Sequence, residues 1–138
     1  MKGKPSLWLL ALVVSAFALP LAAHHGNAAY NYDKKITVSG TVTEWIWANP
    51  HCWLKFDAKG ETGEVTHWVV EASAPPTISV QGWSHSSFKP GDQVTVTMIQ
   101  VKNGQPIGRF EGDITLNGKP FPPHVGGPSG NPKDETKP

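Results

Sequence analysis

Between Lys35 and Leu116 apolar and polar residues alternate in five separate runs, and this alternation limits the chain to a sheet with one buried face. The first run carries Ile36, Val38, Val42 and Ile46 on the inner side, with Thr37, Ser39, Thr41 and Thr43 between them. Gly40 interrupts that inner side. A glycine inside a long strand marks a bulge or a sharp coil where a sheet closes on itself. The second run is Cys52 to Ala58, with Cys52, Leu54, Phe56 and Ala58 on one face and Trp53, Lys55 and Asp57 on the other. The third, Val65 to Ala72, places Trp68, Val70 and Ala72 inward and His67, Val69 and Glu71 outward, because the second set carries two ionisable groups. Val94, Val96 and Met98 line the fourth. Phe110, Ile114 and Leu116 line the fifth, with Arg109, Glu111 and Asp113 facing out.

Turn chemistry separates the runs. Asn49-Pro50, the polar loop Lys59 to Glu64, Lys89-Pro90-Gly91-Asp92 and Asn103-Gly104 all read as turns. Ser73-Ala74-Pro75-Pro76 breaks the sheet and leads into a short helical turn over Thr77 to Gln81, with proline before it and Gly82 after it. Ile78 and Trp83 are placed to cover one end. Three strands, a short helix and two strands make the element order of an all-β, five-stranded, closed or partly open barrel of the oligonucleotide/oligosaccharide-binding (OB) type. A small sandwich of the same strands is the alternative.

The flanks differ in kind. Lys2 and Lys4, an apolar run from Leu7 to Leu19, Pro20 and the pair Ala22-Ala23 form a signal-peptide pattern over residues 1–23. The apolar run is short for a membrane span, and an uncleaved anchor is the other reading. Residues 24–34 form an arm without clear period, 35–116 the barrel, and 117–138, with six prolines, a disordered Pro/Gly-rich tail. The compartment implied is the periplasm or the cell exterior, with no membrane association after cleavage.

Losing Lys2 and Lys4 turns a formal charge of +1 slightly negative, so no basic surface is left for nucleic acid. The lone cysteine excludes an internal disulfide, and Cys52 reads as a small buried apolar residue. No Ser-His-acid elbow, phosphate-cradling loop or Cys-x-x-Cys is present, so the chain reads as a non-enzymatic module.

Three groups of residues bear chemistry. His24 and His25 sit at the export junction, where a new α-amine beside two imidazoles suits a transition metal, copper first. They are otherwise polar residues after a cleavage site. His51 follows the Asn49-Pro50 turn. With His67 and Glu71 it offers an N,N,O ligand set, or a pair in which Glu71 orients an imidazole. The plain alternative for His67 and Glu71 is a surface ion pair. His85 and His124 belong to loop and tail.

Trp45, Trp47 and Trp53 form the third group. On strict alternation all three point away from the core and make an exposed stacking surface for a small ligand or an exported protein partner. A bulge at Gly40 or Glu44 instead slips the register by one and turns them inward. A copper-dependent redox enzyme is the remaining alternative.

Ala23-His24-His25, Gly40-Thr41-Val42, Asn49-Pro50-His51-x-Trp53, Trp68-x-x-Glu71, Gly82-Trp83 and Lys89-Pro90-Gly91-Asp92, in this order, resemble a family of small exported bacterial proteins of unknown function. The resemblance spans residues 22 to 116 and implies no activity and no catalytic residue. Gly26, where the pattern has serine, and Cys52, where it has another apolar residue, depart from it.

Overall fold

A computed structural model describes residues 26–122. Six strands and one helical turn follow the order β1 (Tyr30–Ile46), β2 (Cys52–Lys59), β3 (Val65–Ala72), α1 (Pro75–Ser79), β4 (Gln93–Val101), β5 (Ile107–Leu116) and β6 (Lys119–Phe121). The sheet order is β3-β2-β1-β4-β5-β6, and β3 also pairs with β5 in parallel. That last pairing joins Val69 to Ile107 and Glu71 to Arg109, and it closes the first five strands into an OB-type barrel.

Strand β1 is long because it serves two neighbours. Lys35 to Thr41 pair with β4, and Thr41 to Ile46 pair with β2. The strand must coil at the changeover, and Gly40 sits there. A Cβ on Gly40 would lie 2.5 Å from the Asp57 carbonyl oxygen and 2.6 Å from the Phe56 ring. Only glycine lets β1 approach β2 this closely.

The core holds Val42, Cys52, Leu54, Phe56, Trp68, Val70, Ala72, Val94, Val96, Met98, Phe110 and Ile114, with Ile36, Val38, Ala58 and Leu116 packed against it. These are the inward sets that alternation assigns. Pro75 and Pro76 open α1, where their missing N–H groups leave no helical bond unmade. Ile78 and Trp83 complete one end of the core, and Trp83 packs edge-on against Phe88, Phe110 and Phe121.

Four expectations are corrected. A bulge between Val42 and Glu44 shifts β1 by one residue against β2, so Trp45 pairs with Leu54 and Ile46 with Trp53. Paired residues share a face. Ile46, assigned to the core, therefore turns outward beside Trp53, while Trp45 and Trp47 pack on the core. Of the three tryptophans only Trp53 keeps the outward direction, and it is half-buried.

The arm is not featureless, since β1 already begins at Tyr30 and Asn27–Ala29 form a 3-10 turn. The segment assigned as a disordered tail opens with β6, held on Ile114 to Leu116 by the turn at Asn117 and Gly118. Trp83 anchors its end by donating Nε1–H to the Pro122 carbonyl at 3.1 Å. The signal-peptide assignment, His24, His25 and the rest of the tail lie outside the described residues.

Candidate functional site

Strand register, followed around the outside of the barrel, places one row of residues side by side. Ile46 on β1 pairs with Trp53 on β2, Trp53 with Glu71 on β3, Glu71 with Arg109 on β5, and Arg109 with Ile99 on β4. All point away from the core. Glu71 is nevertheless only 5% exposed, because the start of β1 lies over it. Tyr30 pairs with Val101 and forms a second apolar cluster with Ile99 and Val101, flanked by Tyr32 and Ile107.

A buried carboxylate needs partners for its lone pairs. Glu71 Oε2 accepts from the Tyr30 hydroxyl at 2.7 Å and from Arg109 Nη2 at 3.0 Å and Nε at 3.3 Å. Glu71 Oε1 lies 2.5 Å from His51 Nδ1. The Arg109 guanidinium also stacks over the Tyr30 ring at 4.4 Å. Its Nη1 donates to Asn27 Oδ1 at 2.6 Å and to the Tyr32 hydroxyl at 3.3 Å. One network thus joins the turn before β2, the end of β3, the start of β5, and the first described residues of the chain.

The electrostatics follow from this packing. Burial, then the hydrogen bond and charge of Glu71, push the Tyr30 phenol far above its ordinary range, so it stays a donor. Burial works against the Arg109 charge, but the attraction and hydrogen bond of Glu71 outweigh it and raise its pKa. Glu71 Oε2 is thus committed to two donor groups, and Oε1 lies toward His51.

His51 is the open member, with its side chain 43% exposed. It flanks the Asn49-Pro50 peptide, which is cis, and its ring lies 6.4 Å from Trp53. Its Nδ1 lies against the Glu71 carboxylate, on the side of the ring away from Nε2. A histidine held this way is a ready nitrogen ligand.

The other sequence candidates go elsewhere. His67 Nδ1 lies 2.6 Å from Asp57 Oδ1 at an exposed position. It is four residues from Glu71, about 13 Å of strand, so the two do not share one site. Trp45 donates Nε1–H to the Ser84 carbonyl at 3.0 Å and packs on Trp47, Trp83 and Phe88. Cys52 is buried, and desolvation pushes its thiol pKa up, which suits packing rather than reactivity. Among the described residues no group of three or more His, Cys, Asp or Glu side chains could hold a metal ion.

Sequence reasoning missed Tyr30, Tyr32, Asn27 and Arg109. The signal for a buried network was Glu71 itself, a lone acid in the otherwise apolar run Val69 to Ala72. Its need for partners pointed to a guanidinium and hydroxyls, but alternation does not say which outward residues are covered.

The fold and this network define a small OB-like β-barrel with a histidine-bearing outer site. The chain belongs to DUF6152, a family of unknown function, whose model matches residues 11–110. Among solved structures it resembles the mitochondrial single-stranded DNA binding protein Rim1 from S. cerevisiae, at 14% identity and a TM-score of 0.46, over 60% of this chain and 92% of that one. No curated protein matches it.

Proposed function

We propose that this is an exported, non-enzymatic binding module of the periplasm or cell exterior that holds a transition metal, copper first. His51 Nε2 is one ligand, and the leading pair His24 and His25 supplies the others. The observation that carries the reading is the 2.5 Å contact between His51 Nδ1 and Glu71 Oε1. A carboxylate behind an imidazole fixes its tautomer and raises the basicity of the opposite nitrogen, the usual arrangement behind a metal-bound histidine.

The tether of the chain's beginning supports it further. Asn27 follows His25 by two residues and is hydrogen-bonded to Arg109, which itself contacts Glu71. The described chain therefore begins beside the His51 network. Imidazole and amine nitrogens match the preference of Cu(II), which stands high in the affinity order of the divalent metals. A metal-free reading on an exposed tryptophan surface has less to stand on, since Trp45 and Trp47 pack on the core.

Isothermal titration with Cu(II) tests the proposal on the chain lacking residues 1–23, beside His51→Ala and a His24→Ala/His25→Ala variant. Tight binding by the parent and a loss of tenfold or more in each variant is the expected result. Equal weak binding by all three rejects copper.

A further inference from the structure

The inward turn of β1 after its bulge leaves a row of three indoles at the α1 end of the barrel. Trp83 lies 5.9 Å from Trp45 between ring centroids, and Trp45 lies 5.9 Å from Trp47. Two of the three N–H groups are used. Trp83 Nε1–H donates to the Pro122 carbonyl at 3.1 Å, and Trp45 Nε1–H to the Ser84 carbonyl at 3.0 Å. Trp47 Nε1–H has no acceptor among the described residues, although its ring is half-buried against the core. A half-buried indole N–H ordinarily finds an acceptor.

The end of the described chain points to one. Phe121 packs on Trp83 at 5.1 Å and on Phe88 at 4.9 Å, and Pro122 lies over Gly82, where an added Cβ would be 3.6 Å from its ring. The chain thus already rests on the first indole of the row at Pro122. Residues 123–128 continue as Pro-His-Val-Gly-Gly-Pro. A polyproline-like chain advances about 3.1 Å per residue and keeps its carbonyls unbonded, so about four residues span the two steps from Trp83 to Trp47. Such chains dock on aromatic-lined surfaces, with proline rings on the indole faces. Gly126 and Gly127 carry no side chain to hold a backbone carbonyl away from the Trp47 ring.

We infer that residues 123–127 dock along Trp45 and Trp47 of the same chain, with a backbone carbonyl of this segment accepting from Trp47 Nε1–H. The segment extends the contact that β6 begins and closes the aromatic end of the barrel. Val125 supplies the aliphatic side chain against the two rings. This surface takes no part in the His51–Glu71 contact, so it stands or falls apart from the metal site.

The test reads the Trp47 indole N–H by NMR, as peak position and rate of exchange with water, in the 15N-labelled chain lacking residues 1–23. That parent is compared with Val125→Asp and with the same chain ending at Pro122. The Trp68 indole, inside the barrel, serves as the control. Ending the chain at Pro122 is expected to move the Trp47 peak and to speed its exchange about fivefold, the size of one neutral hydrogen bond. Trp68 stays unchanged. Val125→Asp is expected to move both readouts in the same direction by less. A peptide of residues 123–128 added to the shortened chain is expected to bring the Trp47 peak back toward its parent position. Unaltered Trp47 signals in either the shortened chain or Val125→Asp overturn the docking. A Trp47 peak that shifts with protein concentration in the parent also overturns it, because the acceptor then comes from a second copy. Where Trp68 shows that the shortened chain has lost its fold, Val125→Asp decides.

Discussion

His51 Nδ1 meets Glu71 Oε1 at 2.5 Å, joining an imidazole half in solvent to a carboxylate that is almost wholly covered. The burial makes the pair consequential. Arg109 and Tyr30 occupy one carboxylate oxygen, and His51 Nδ1 lies against the other.

Glu71→Gln removes the charge that Arg109 and Tyr30 face while keeping the shape. Breaking a buried pair from one side costs about 3–5 kcal/mol, and the remaining exposure of Arg109 puts this case at the lower end. Urea unfolding of the variant should show stability lowered by that amount. Any Cu(II) bound through His51 should weaken about 10–100-fold, the usual effect of removing the group behind a ligating histidine. An unchanged unfolding midpoint would mean that the network carries no net stability.

Tyr30 gives the fold an alkaline weakness. Its phenol, ordinarily at 10.0, is raised in the folded chain by burial first and Glu71 second. A raised folded value contributes stability that is complete below the unfolded value and is lost as pH rises toward the folded one. Stability measured by urea from about pH 8 to about pH 11 should therefore fall at the alkaline end. Tyr30→Phe should be less stable at the neutral end by about 1–2 kcal/mol and show a flatter alkaline decline. Parallel declines in parent and variant would place the effect elsewhere.

The bulge between Val42 and Glu44 has a direct consequence for the tryptophans. Trp45 faces Leu54 in the core and donates to Ser84, whereas Trp53 faces outward beside Ile46. Trp45→Ala should cost about 3 kcal/mol and Trp53→Ala clearly less, by urea unfolding. The opposite ranking contradicts the shifted register.

Gly40→Ala tests the coil of β1. An added methyl meets the Asp57 carbonyl oxygen at 2.5 Å, and backbone does not yield cheaply. Overpacking of this kind costs about 1–3 kcal/mol. A thermal midpoint equal to the parent's would show that the two strands can part there.

Much of the barrel could be read from residues two apart, because Cys52, Leu54, Phe56, Trp68, Val70, Val96, Met98 and Phe110 need only a pleat and a water-free side. The bulge could be read only as an alternative to strict alternation, since one extra residue in β1 leaves the local pattern intact and swaps the two faces for Trp45 and Ile46 beyond it. His51 and Glu71 stood out as chemistry-bearing types, and the pairing of Trp53 with Glu71 explains how neighbouring strands bring them together. Tyr30 and Arg109 were hidden for a different reason. Alternation separates the inside of a barrel from its outside, and the covering of one outer patch by the chain's own beginning is a long-range event, 41 residues apart for Tyr30 and Glu71.

Electron paramagnetic resonance of the Cu(II)-loaded chain lacking residues 1–23, compared with His51→Ala, tests the proposed ligand most directly. The account predicts nitrogen hyperfine structure from imidazole in the parent and one fewer coupled nitrogen in the variant. Identical spectra would contradict it, because His51 would then not touch the metal at all.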